Sequence, residues 1–173
     1  MNIFLTGSSA LTPLDKFEIK TYLENYVAHH NIHVMCYRSL ENEILSFFIE
    51  NDEYASQLHL YSFQPMDSLP DSIKHSIQYL REKGSYYNSF GIEDVLIKRS
   101  VFENTWRKML ENADLVMCFY NGDKPTALIP IDIAEEQGID AMTFELPGFD
   151  ETKLDLPIEQ KVKVVEKKEK QTS

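Results

Sequence analysis

Residues 113–138 read "ADLVMCFYNGDKPTALIPIDIAEEQG", and the order of their parts decides the kind of fold to expect. Residues 115–120 are all apolar or aromatic, without polar alternation, which suits a strand buried on both faces. That run stops on Asn121-Gly122-Asp123-Lys124-Pro125-Thr126, a hexapeptide rich in turn-forming residues. A helical pattern follows from about 127 to 137 and is closed by Gly138. A strand buried on both faces needs helices above and below it, so this stretch is one repeat of a parallel α/β sheet.

The same alternation extends in both directions. Strands are expected at 2–7, 32–37 and 58–63 before it and at 140–146 after it. Helices are expected from Pro13, over 39–50, over 68–84 and from 101. Thr12, Pro13 and Asp15 form a capping box with proline at the first helical position. Ser68 with Asp71, and Ser100 with Glu103, read as two further boxes. Residues 85–99 have no clear period and read as an irregular, aromatic connection. The expected fold is α/β: a Rossmann-like open, mostly parallel five-stranded sheet of order 3-2-1-4-5, with helices on both faces.

Of the 173 residues 43% are hydrophobic, enough for one domain with a core of its own. That domain is expected at 1–148. Residues 149–173 are charged and without a helical stripe, and are expected to be a disordered, dispensable tail. They hold six Lys and six Asp or Glu, so the net charge of -11 falls on the domain. An acidic body repels phosphate backbones, which argues against nucleic-acid binding but not against a small anion held by local donors. "MNIFLTGSS" has no basic start or long apolar run, and no segment reaches the length of a membrane span, so a cytoplasmic location without membrane contact is expected. Cys36 and Cys118 fall in predicted strands and read as buried, reduced thiols. The five histidines lack metal-ligand spacing, and neither a metal nor a cofactor is expected.

In an open parallel sheet, ligands bind beyond the carboxyl ends of the strands where strand order reverses. Two loops meet there: Thr6-Gly7-Ser8-Ser9 and the hexapeptide 121–126. Gly7 and Gly122 would let a backbone approach a ligand closely. Ser8, Ser9 and Thr126 supply hydroxyls, and Asn121 and Asp123 lie in the second loop. The helix after Thr126 would aim its free N–H groups at an anion. Arg38, directly after the second strand, is within reach as an anion ligand. Asp132 and Glu135, three residues apart on the last helix, are the carboxylates placed to act on a ligand.

"FLTGSS" (4–9) with its capped helix, and "ADLVMCFYNGDKPTALIPIDIAEEQGI" (113–139) with the strand after it, resemble the SLOG superfamily. That Rossmann-like group contains the Lonely-guy phosphoribohydrolases and the DNA-processing protein A core, as well as nucleotide-sensing domains of defence systems. The layout looks most like its YpsA-like branch, and more distantly like the nucleoside deoxyribosyltransferases. The resemblance implies nucleotide binding at Gly7, Ser8, Asn121, Gly122 and Thr126. The PGGxGTxxE motif of the Lonely-guy enzymes is replaced here by "NGDKPTALIPID", and Pro130 stands near the position of the deoxyribosyltransferase nucleophile.

The leading expectation is therefore a domain that binds a nucleotide or a nucleotide-derived small molecule. The alternatives are an N-glycosidic-bond hydrolase or transferase using Asp132 or Glu135, and a protein-interaction module that docks through the aromatic segment 85–92. A homodimer is compatible with each.

Overall fold

The computed structural model describes residues 1–149. Six strands form one parallel sheet: β1 (Asn2–Gly7), β2 (Asn31–Met35), β3 (Leu58–Ser62), β4 (Tyr86–Ser89), β5 (Leu115–Tyr120) and β6 (Asp140–Glu145). Their order is β4-β3-β2-β1-β5-β6. Five helices connect them: α1 (Pro13–Tyr26), α2 (Glu41–Glu50), α3 (Asp71–Glu82), α4 (Arg99–Met109) and α5 (Ile129–Glu136).

The expected five-stranded sheet is thus corrected to six. The order 3-2-1-4-5 holds for the five foreseen strands, and the added one, β4, extends the edge beside β3. It lies inside the stretch expected to be irregular. Four residues, Tyr-Tyr-Asn-Ser, carry too little apolar alternation to signal a strand alone. Neighbours supply what the sequence lacks. Tyr86 stacks on His59 with ring centroids 4.5 Å apart, and the Tyr87 and Ser62 hydroxyls lie 2.6 Å apart. The chain beyond β4 stays tied to β3, with Phe90 N–H donating to Ser62 O and Ile92 N–H to Phe63 O.

From β1 to β4 the chain advances in one direction, and right-handed crossovers put α1, α2 and α3 on one face. Helix α4 then returns the chain past β1, so it and α5 cover the opposite face. Two cores result. Ile19 and Leu23 of α1, with Ile44 and Phe48 of α2, pack on Leu5, Val34 and Leu60. Trp106 of α4, with Ile129 and Ile133 of α5, packs on Phe4, Val116 and Cys118. Each such side chain contributes about 1.5–3 kcal/mol on full burial. Cys36 and Cys118 are buried thiols in different cores, and neither is in a disulfide.

The capping box of α1 forms as expected: Thr12 Oγ1 accepts from Asp15 N–H, and the Asp15 carboxylate accepts from Thr12 N–H. The other two do not. Ser68 ends a 3-10 turn, and Pro70 takes the N-cap of α3. Helix α4 begins one residue before Ser100, with Lys98 at its N-cap and no side-chain cap bond. Hydrogen bonds to residue 148 reach from Thr12 and Asp15. Except for Phe149, the expected tail lies outside the described residues.

Candidate functional site

The two sides of β1 at its carboxyl end are built differently. On the α1 side the loop after β1 and the NGDKPT loop are laced together. Ser8 is buried: its N–H donates to Phe119 O and its Oγ accepts from Asn121 N–H, both at 2.9 Å. The N–H groups of Ser9 and Ala10 both donate to Asp123 Oδ2, at 3.0 and 3.1 Å. Asn121 Nδ2 donates to Ala10 O and to Asp15 Oδ2, each at 2.8 Å. Asp15 is fully buried, and it also accepts from Thr12 N–H and from Gly148 N–H. One carboxylate therefore joins three segments of chain.

This lacing answers why the buried strand β5 ends on so polar a hexapeptide. Its polar groups satisfy backbone donors of the facing loop, and Asp123 fills the amide pair that an anion would otherwise use. The glycines fit the same account. A Cβ at Gly7 would overlap Leu40 Cδ2 and the Phe119 carbonyl oxygen, so the close approach there is to the protein itself. Gly122 faces open space and is required by its φ of 90°. An open groove bounded by Ser9, Thr12, Asn121, Asp123 and Phe149 lies above this lacing.

On the α4 side the carboxyl ends of β1 and β2 open into a cavity of about 210 Å³. Its inner wall includes Met35, Trp106 and Ile129, all buried. Arg38, Arg99 and Thr126, which are exposed, also line it, and among the described residues no Asp or Glu does. In a domain of strong negative charge, that is a local reversal of sign.

The loop that carries Arg38 is fixed by its neighbour. Ser39 Oγ accepts from Gly7 N–H and donates to Gly7 O, both at 3.0 Å, and Ser39 N–H donates to the Glu41 carboxylate at 2.8 Å. Burial raises the Glu41 carboxyl above its usual range, and hydrogen bonds from the backbone of Glu41, Ser39 and Arg38 pull it back. Arg38 sits at φ 48°, the left-handed region that a residue with a side chain enters at a cost of about 1 kcal/mol. Its guanidinium lies 5.3 Å from the Tyr37 ring centre. The Tyr37 hydroxyl in turn accepts from Ile97 N–H, which holds the entry to α4 against β2. Arg99 bonds through Nε to Glu103 one turn on, at 3.2 Å.

Of the residues expected at the site, Arg38, Gly7 and Thr126 line this cavity, while Ser9, Asn121, Gly122 and Asp123 line the groove on the other side. Ser8 lies in neither lining. Asp132 is half-buried on α5 and Glu135 is exposed; neither belongs to either lining. Arg99, Phe102 and Trp106 were not foreseen. They stand on a helix outside the strand-end loops, and only the return crossover of α4 brings them to β1.

Compared with models of known protein families and with curated proteins, the chain matches none.

Proposed function

We propose that this protein binds a nucleotide or a nucleotide-derived small molecule in the cavity between β1, β2 and α4. The observation that carries the reading is the lining itself: two arginines from separate elements, an apolar and aromatic inner wall, and no carboxylate among the described residues. Such a mixture suits a ligand with one anionic end and one flat apolar end. Its place at the point of strand reversal is where open α/β sheets put ligands. The absence of Asp and Glu from the lining favours binding over glycosidic-bond cleavage, which needs a carboxylate against the anomeric carbon.

The test is to denature the purified full chain and identify by mass spectrometry what it releases, then to add that compound back in a thermal unfolding assay. A ligand at one hundred times its Kd stabilises by about 2.7 kcal/mol. For a domain of this size that raises Tm by roughly 5–10 °C. Release of nothing, together with a flat response to a panel of nucleotides, would remove the reading.

A further inference from the structure

The cavity is graded in polarity, and the grading gives an orientation. Met35, Trp106 and Ile129 are at most 5% exposed, whereas both arginines are open to solvent. We propose that the cavity takes a phosphate monoester of a heteroaromatic compound, inserted ring first, with the phosphate held at the mouth by Arg38, Arg99 and the first turn of α4. This rests on the reading above and names the ligand class and its direction.

The alternative phosphate position, in the loop after β1, is already occupied. Ser9 and Ala10 N–H point at the Asp123 carboxylate, which is held in place by its own short loop through Asp123 N–H to Asn121 Oδ1. A phosphate there would have to evict a tethered anion. At α4 the Glu103 carboxylate already pairs with Arg99, but through Nε alone. Lys98 makes no side-chain cap, and the first helical bond runs from Phe102 N–H to Lys98 O, so the preceding amides have no intrahelical acceptor. Arg38 and Arg99 line the same cavity, and the positive end of α4 begins at Arg99. The bond from Arg99 to Glu103 uses Nε and leaves the terminal nitrogens for another acceptor.

Size and the inner wall define the other end of the ligand. About 210 Å³ falls short of the roughly 300–1,000 Å³ that encloses a whole drug-sized molecule, so a single ring system fits and a dinucleotide does not. The indole N–H of Trp106 is buried without a hydrogen-bond partner among the described residues. That atom is shielded from the cavity, so it is the aromatic side chains of Trp106 and Phe102 on the lining that favour a flat ring.

Trp106 is the chain's single tryptophan, so its fluorescence reports on this cavity directly. The experiment titrates the full chain with purine and pyrimidine nucleoside monophosphates, with the matching nucleosides, and with inorganic phosphate. Expected are quenching by at least one monophosphate, about tenfold or more weaker binding of its nucleoside, and no quenching by inorganic phosphate. In Arg38→Gly, and further in Arg38→Gly with Arg99→Ala, the preference for monophosphate over nucleoside should collapse. Glycine suits the φ of residue 38, so the variant is expected to fold, and a thermal unfolding curve checks it. Equal affinity for monophosphate and nucleoside in the native chain overturns the phosphate clamp while leaving the cavity as the binding site. A preference that survives loss of both arginines does the same. Quenching by inorganic phosphate as deep as by the monophosphate overturns the orientation. If no compound quenches or binds, the proposed function falls with it.

Discussion

Two regions at the same end of the sheet, separated only by β1, solve opposite problems. On the α1 side polar groups are numerous and spent on one another: Asp15 takes three donors, Asp123 takes the Ser9 and Ala10 amides, and Ser8 bridges to Asn121. On the α4 side there are fewer polar groups, and they are less tied: Arg38 stacks on Tyr37, Arg99 bonds Glu103 through Nε alone, and the helix start has no side-chain cap. The first arrangement fixes loops, and the second is the proposed ligand site. A turn-rich, glycine-containing loop at a strand end is therefore weak evidence of a binding site until the partners of its donors are known.

The sharpest way to break this contrast is Asp15→Ala. Removing a fully buried carboxylate strands Thr12 N–H, Asn121 Nδ2 and Gly148 N–H together. A loss of about 3–5 kcal/mol is expected in urea unfolding. A loss under about 1 kcal/mol would mean that the lacing does not hold the loops.

Acid acts on the sheet that supports both regions. His33 is buried, stacked between Phe4 and His59, and its Nδ1 accepts from the Tyr61 hydroxyl while Nε2–H donates to Asn2 Oδ1. Burial, with a smaller contribution from His59, lowers its pKa from 6.5 to about 3. Only the neutral ring suits the fold, so this stability is complete above the unfolded pKa of 6.5 and is lost as pH falls toward 3. Between pH 6.5 and 5 the loss should be roughly 2 kcal/mol. His59, whose pKa burial also lowers, acts in the same direction. Unfolding by urea at pH 7, 6 and 5 measures it. A midpoint unchanged over that range in the native chain, or equally pH-dependent in His33→Phe, would remove His33 as the cause.

The smallest expected change in stability is at Arg38, and it sharpens the contrast most. Arg38→Gly relieves a left-handed residue and should leave stability unchanged or raise it by up to about 1 kcal/mol. A group that costs stability where it stands is consistent with one kept for binding. If Arg38→Gly instead destabilises by more than about 1 kcal/mol, the arginine is a structural residue and the α4 side loses its main claim.

The strands with the strongest apolar runs were legible from sequence. β1 and β5 match their expected limits, and Thr12-Pro13 with Asp15 marked the start of α1 correctly. Sequence missed β4, because an edge strand of four residues is stabilised by its neighbour and by the rings it meets there rather than by its own pattern. It also led to the expectation that the two loops meet, which they do through Ser8, Ser9 and Ala10 with Asn121 and Asp123, although Gly7 and Gly122 fall on different linings; a residue's type does not say whether its donors are already used. Asn121 and Asp123 were legible as loop residues, and their engagement with Ser9, Ala10 and Asp15 was not.

What the sequence determined by itself is the alternation of strand and helix, the excess of negative charge and the two loops that meet at the reversal of strand order. Those are local properties, set by periodicity, capping and composition. Tertiary structure alone decided which side of β1 is closed and which is open. Right-handed crossovers carry α4 to the face opposite α1, and that brings Arg99 and Trp106 to Arg38 from positions some sixty residues away in the chain.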